Sequence, residues 1–306
     1  MEFLLGLHLA HLLHEHCPGR LGMRIRHIGE FSDILAGYAY ASQLSSSDWA
    51  WEFLRRNRRF QANAMAQVPD VSSEAADART TRLILMRRDR LAETWGLIFF
   101  PDPDLSARVT DVFWSDRAFP RKIAILGRER ATDEPDELFD VGLRTGRVTH
   151  LTDARQREHL LIRAGASALQ VRYRGLPLFA GRAVKLDVSL SGISQASRQA
   201  QILAQAGHVF GHGETGAPRL TQQALRLRNA LIALDAHDAG LTYRDTALIL
   251  YDHQRVAHAW QSGSTAMKSE MVRLLAKGQR LRAGGYFRLL QGRLPANGRQ
   301  AGCAQC

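Results

Sequence analysis

The chain has 306 residues, 45% hydrophobic and 23% charged, which is the balance of a globular protein with a sizeable core and length enough for two domains. No run approaches the ~18 consecutive apolar residues of a membrane span, and three cysteines, Cys17, Cys303 and Cys306, make no disulfide framework. The formal charge is +11 and the pI about 10.3; such an excess favours polyanionic partners, because each phosphate neutralised by Lys or Arg releases counterions.

The excess is concentrated late in the chain. Arg219–Arg299 holds 13 Lys/Arg against 5 Asp/Glu, a net charge of +8. At the other end, Met1–Leu13 is apolar but lacks a basic n-region and is interrupted by His8 and His11, unlike a secretory signal, so a cytoplasmic protein is expected.

In chain order, residues 1–22 read as a leader outside the folded domains. Residues 23–66 form a helical, Trp-rich module in which Ser47 or Asp48 caps a helix through Trp51 and Leu54. Trp49 and Trp51 suit a small core or a partner surface better than base stacking. With Phe53, Arg55 and Arg56 they are the candidate partner-binding residues, since Trp and Arg are enriched at interface hot spots. Val68–Asp77 reads as a polar linker.

Residues 78–192 form a β-rich, mainly antiparallel module. Its expected strands are Arg82–Met86, Trp95–Phe100, Thr110–Trp114, Lys122–Leu126, Arg147–Leu151, His159–Arg163, Leu169–Tyr173 and Ala183–Leu190. Ser194–Ala206 reads as a helix, and Gly207–Pro218 completes a helix-and-linker segment spanning 193–218. The fold class is therefore α+β, with an all-α domain at 219–294 and a tail at 295–306.

That last domain carries the functional signal. Leu220, Ala224, Leu227, Leu231 and Leu234 share one face of a first helix, which Gly240 ends. Thr242 and Asp245 have the spacing of a capping box opening a second helix, Tyr243–Leu250. After a break at residues 251–254, where Asp252 occupies a turn that Gly would fill more easily, a third helix buries Val256, Ala257 and Trp260. Short helix, brief turn and short helix is the spacing of a helix-turn-helix. A fourth helix, from Ser264 or Thr265 to about Arg282, has an apolar side through Met267, Met271, Leu274, Leu275, Gly278 and Leu281. Arg273, Lys277 and Arg280 lie opposite, suited to phosphates. Arg255 and His258 on the third helix are placed for base edges. With Arg244, Lys268 and Arg282 these complete the candidate DNA-binding residues.

The stretch Gly240-Leu241-Thr242-Tyr243-Arg244-Asp245-Thr246-Ala247, with Val256, Trp260, Lys268, Arg273-Leu274-Leu275, Gly278 and Gly284-Gly285-Tyr286, resembles a helix-turn-helix variant of proteobacterial integrative and conjugative elements. Asp48-Trp49-Ala50-Trp51-Glu52-Phe53-Leu54-Arg55-Arg56-Asn57 resembles the small module paired with it. Together they resemble the frameshifted excision activator family over about Met23–Ala66 and Arg219–Leu290. The resemblance implies a transcriptional activator of excision and transfer genes, with double-stranded promoter DNA, RNA polymerase and a small antiactivator protein as partners. The alternative is a DNA-binding accessory factor for recombination or replication initiation.

Other motifs carry less. His8, His11, His14, His16 and Cys17 lack a defined four-ligand set for zinc, and Cys303–Cys306 is a lone CxxC. Gly211–Gly216 lacks the Lys-Ser/Thr of a phosphate loop. Neither Gly-x-Ser-x-Gly nor His-Glu-x-x-His occurs in a supporting context, so no enzyme, cofactor, metal site or small-molecule substrate is expected.

Overall fold

The structure, a computed structural model, describes residues 28–68, 70–76, 78–120, 122–131, 147–164, 167–178, 184–189 and 221–291. The expectations for residues 1–22, the helix at 194–206, the glycine-rich linker and the tail after 294 lie outside the described residues. The fold is α+β, with helices early, a sheet in the middle and helices at the end. No helix among the described residues is long and apolar enough to cross a membrane.

The chain divides into two units, each drawing on separated segments. The first joins residues up to Gln43 with those from Pro218 to Arg282, and the second joins Leu44–Ala217 with Ala283 onward. The segment read from sequence as one Trp-rich module, 23–66, therefore contributes to both.

In the first unit, α1 (Ile28–Gly37) and a 3-10 turn (Ala39–Gln43) accompany α5 (Gln222–Asp238), α6 (Tyr243–Leu250), α7 (His253–Gln261) and α8 (Ala266–Arg280). The second unit begins with α2 (Ser46–Leu54) and α3 (Arg58–Met65). The cap of α2 is Ser45, not Ser47 or Asp48. Its side chain accepts from the Asp48 N–H while the Asp48 carboxylate accepts from the Ser45 N–H, so Asp48 closes the capping box from the N3 position.

The sheet of the second unit has seven strands: β1 (Val71–Ala75), β2 (Thr80–Leu85), β3 (Ile123–Glu129), β4 (Arg147–Thr152), β5 (Glu158–Ala164), β6 (Ser167–Gly175) and β7 (Val184–Ser189), in the order β1-β2-β4-β5-β6-β3-β7. The β2–β4 and β3–β6 pairs are parallel and the rest antiparallel, so the sheet is mixed. Side-chain alternation divides the core between its two faces. Leu160 and Ile162 of β5 pack with Val148, Val171, Tyr173 and Ile125. Leu161 turns the other way, toward Leu151, Leu85, Ile98, Phe99 and Phe113.

Two expected strands, Trp95–Phe100 and Thr110–Trp114, are instead irregular chain on this second face, joined by a single bridge between Leu97 and Trp114. Their aromatic runs serve burial rather than a ladder. Gln170 substitutes for a neighbouring strand by holding both the N–H and the C=O of Trp114, each at 3.0 Å. A short helix, α4 (Arg90–Thr94), capped by Asp89, leads into this layer. Conversely, the expected linker at 68–77 contains β1. As an edge strand it is exposed beyond Val71, so no apolar alternation marks it in sequence.

Trp49, Trp51 and Phe53, expected at a partner surface, are buried in this unit. Trp51 sets its ring edge-on to Phe60 at 5.7 Å and donates its indole N–H to the Leu105 carbonyl. Arg55 and Arg56 both turn onto the buried Glu52 carboxylate, at 2.9 and 2.6 Å, and its other oxygen accepts the Ala107 N–H at 2.8 Å. The group is an interior clamp between α2 and the 105–107 loop, because two rings and a carboxylate cannot be buried unless every polar atom finds a partner here. The chain end returns to the same unit. There α9 (Tyr286–Leu290) buries Tyr286, Leu289 and Leu290, and the Tyr286 hydroxyl donates to the Trp95 carbonyl at 3.0 Å.

Burial opposes the Glu52 charge, but Arg55, Arg56 and the Ala107 N–H outweigh it and hold the carboxyl at about 2. A folded-state value below the unfolded one stabilises above the unfolded value, and that stability is lost as pH falls from about 4.5 toward 2. Glu52→Gln is therefore expected to cost about 3 kcal/mol at neutral pH, the scale of a broken buried pair. It should also flatten the acid limb of stability. Denaturant titrations at several pH values check this, and an unchanged acid limb in the variant would refute the clamp.

Candidate nucleic-acid interface

The first unit is built from caps that the sequence supplies at each break. Thr221 caps α5, and Gly240, at φ +79°, takes the left-handed step that ends it. Thr242 and Asp245 form the expected capping box of α6. The turn between α6 and α7 differs from expectation. Asp252 has φ −57° and ψ 142°, an extended residue whose carboxylate accepts from the N–H groups of Gln254 and Arg255. It is a helix cap, so α7 starts at His253 and no left-handed residue is needed.

Ala247 of α6, Val256 of α7 and Met267 and Met271 of α8 form the core of this helix-turn-helix, with Trp260 and Leu274 partly buried against it; Ala257 is only half-buried. Farther along, α8 leaves the helix pair and meets α5. A Cβ on Gly278 would lie 2.6 Å from the Ala230 carbonyl and 3.1 Å from the Leu234 side chain, so the two backbones touch there. One turn on, beyond the end of α8, Arg282 pairs with Asp238 at the end of α5. Tyr38, after α1, donates its hydroxyl to Asp235 of α5 at 2.6 Å, and α1 packs on α6. Residues 219–294 thus lack part of the unit they fold into.

All five acids of the late stretch are engaged within the unit. Asp235 accepts from Tyr38, Asp238 pairs with Arg282, Asp245 and Asp252 cap helices, and Glu270 accepts the Tyr251 hydroxyl at 2.6 Å. Of the expected DNA-binding residues, Arg244, Arg255, His258, Lys268, Arg273 and Arg280 are exposed. Lys277 is half-buried, and Arg282 is drawn to Asp238.

Four of the cations come together on one flank. At about 100° per residue, Glu270, Arg273, Lys277 and Arg280 span about 80° of α8. Glu270 reaches Tyr251, whose ring lies 4.6 Å beneath the Arg255 guanidinium. This link sets the amino-terminal turn of α7 on the same flank as the basic stripe. Burial pushes the Lys277 ammonium down, and the neighbouring Arg226 and Arg280 charges add to the effect, the mark of cations gathered without an acid between them. Lys268 and Arg282 fall along the other edge of the apolar stripe. The sequence reading omitted Arg226, Tyr251 and Glu270. Arg226 lies one turn before Ala230, so the tertiary contact of α5 with α8 was the missing signal.

Among the described residues no group of three His, Cys, Asp or Glu is placed to hold a metal ion.

Two protein-family models match the chain. Residues 187–291 match a RovC-type domain described as a T6SS transcription factor DNA-binding domain, and residues 35–100 match a proteobacterial transcriptional regulator-like domain. No curated protein sequence matches it. The two matches support a DNA-binding transcription regulator of proteobacterial type. The first reaches back into β7 and the second continues past 66 through β1, β2 and α4.

The contact at Gly278 sets where α8 carries its charges. Helix propensity alone favours Ala over Gly by about 1 kcal/mol, yet overpacking typically costs about 1–3 kcal/mol. Gly278→Ala is expected to lower stability on balance, as measured by urea denaturation. A more stable variant would mean that α5 and α8 are not in backbone contact.

Proposed function

We propose that the chain activates transcription by binding promoter DNA through the exposed face of α7 and the basic flank of α8. The observation that supports this most directly is the separation of charge: every acid from 221 to 291 is engaged in a cap or an internal bond, while Arg226, Arg273, Lys277 and Arg280 cluster beside the helix-turn-helix. The cluster supplies the sequence-independent attraction to phosphates. Arg255 and His258, exposed on α7, supply contacts to base edges. Stacking on Tyr251 holds the Arg255 guanidinium in one orientation, which reduces the entropy lost when it meets a base.

The targets we assign are excision or transfer genes of a proteobacterial integrative and conjugative element, in keeping with the likeness of Gly240–Ala247 and Asp48–Asn57 to the excision activators. RNA polymerase and a small antiactivator are the protein partners this reading calls for. The description of the matched DNA-binding domain as belonging to a T6SS transcription factor supports a second set of targets, secretion-gene promoters. A map of chromosomal sites bound by the full chain separates the two, and promoter activation in the absence of an integrase separates an activator from a recombination accessory factor.

The full chain, titrated against its mapped promoter and against random duplex at several salt concentrations, tests the interface. Arg226→Ala, Arg273→Ala and Arg280→Ala change exposed side chains and leave the apolar stem of Lys277 in place. Together they are expected to weaken binding to both duplexes and to reduce the salt slope by about one unit for each phosphate no longer neutralised. Arg255→Ala should reduce discrimination between the duplexes by about 1–3 kcal/mol. Wild-type affinity and slope in the triple variant would remove the basic flank from the interface.

A further inference from the structure

At one end of the sheet, β1 has β2 on one side and no described residue on the other, and all of it beyond Val71 is exposed. Its hydrogen-bonding phase follows from two bonds. The Met86 N–H donates to the Asp70 carbonyl at 3.0 Å, and the Ala76 N–H donates to the Thr80 carbonyl at 2.8 Å. In an antiparallel pair, residues alternate between facing the partner strand and facing away. Residues 70, 72, 74 and 76 therefore bond to β2, and the N–H and C=O groups of Val71, Ser73 and Ala75 all point outward.

That edge is complementary to itself. If a second copy lies antiparallel across a two-fold axis at Ser73, each Ser73 exchanges two bonds with the other, and Val71 exchanges two with Ala75 of the second copy, twice over. Every outward group of the strand is then paired. The side chains agree with the backbone. Val71, partly buried against the core, meets a small Ala75. Glu74, the strand's one charge, falls opposite Ser72 rather than opposite itself, so no like charges meet. The strand has no Lys or Pro of the kind that protects natural edges. Val68 and Met86, exposed at 93% and 64%, border its amino-terminal end and offer apolar area for a partner to cover.

We propose that β1 is a dimerisation edge, joining two copies of this chain into one continuous antiparallel sheet across a two-fold axis at Ser73. A two-fold assembly of a DNA-binding protein reads two half-sites related by the same symmetry.

The test is sedimentation of the full chain without DNA over about 1–100 μM, a range that brackets modest self-affinity. Wild type is expected to show a concentration-dependent monomer–dimer equilibrium. Ser73→Pro removes an N–H that takes no part in the β2 ladder, so the hairpin can persist. Ser73→Lys sets two ammonium groups across the axis. Each is expected to raise the dimer dissociation constant about tenfold or more, with an unchanged circular dichroism spectrum. As a gain-of-signal check, Ser73→Cys in a chain whose native cysteines are replaced by serine should give a disulfide-linked dimer on mild oxidation, since facing Cα atoms lie about 5.5 Å apart in such a pair. A wild type that stays monomeric throughout, an assembly that both variants leave unchanged, or failure of the cysteine variant to cross-link overturns the proposal.

Discussion

Helices α5 and α8 meet at Gly278 with no side chain between them, and the geometry of the first unit depends on that approach. With Gly278 against Ala230, Leu275 and Leu281 are buried on either side and Met271 turns toward α6. One helix therefore belongs to two packing layers. Its first half closes the core of the helix-turn-helix and its second half lies along α5. Because a protein interior transmits small displacements rather than absorbing them, a shift of α8 along α5 would move α6, α7 and the basic flank as a body.

The same unit shows how a modest excess of cations becomes a field. Removing the acids would raise the charge equally, but they are needed to start helices and to anchor Tyr38 and Tyr251. Two of them, Asp245 and Asp252, sit on the positive ends of helix dipoles, where a carboxylate is stabilised by a few tenths to 1 kcal/mol. Their charge is then partly neutralised by backbone N–H groups. The cations of α8, and Arg226 of α5 beside them, keep their reach because no acid of the same stretch is left to pair with Arg226, Arg273 or Arg280. Charge sign is separated by local structure rather than by composition.

Much of the first unit was legible because its signals are local. A capping box, a C-cap glycine and a 3.6-residue apolar period each involve residues within a few positions, and Thr242, Asp245, Gly240 and the Met267–Leu281 stripe were read from these alone. Asp252 was recognised as a turn residue but misassigned, since a cap and a left-handed turn both favour Asp. What sequence did not reveal is long-range. Trp51 in a core and Trp51 on a surface have the same neighbours in sequence, and only the Leu105 carbonyl and Phe60 decide between them. The strand β1 and the irregular aromatic runs at 95–100 and 110–114 were inverted for one reason. An edge strand needs little apolar content, whereas a loop buried beneath a sheet needs a great deal. The flank formed by Arg226, Lys277 and Arg280 was half visible, because its α8 members recur at i, i+4 and i+7 while Arg226 joins through tertiary contact.

The first unit is interrupted between Gln43 and Thr221, and this governs how it can be made. A ribosome adding about 5–20 residues per second takes roughly 10–35 s to cross that interval. Throughout it, α1 and the turn carrying Tyr38 have emerged while the helices they pack on have not been synthesised. The bond from Tyr38 to Asp235 joins residues 197 positions apart, a loop whose closure entropy must be met before the contact stabilises anything. The intervening sheet has time to form first. Any translation that stops before Thr221 releases a chain that holds α1 without its destination.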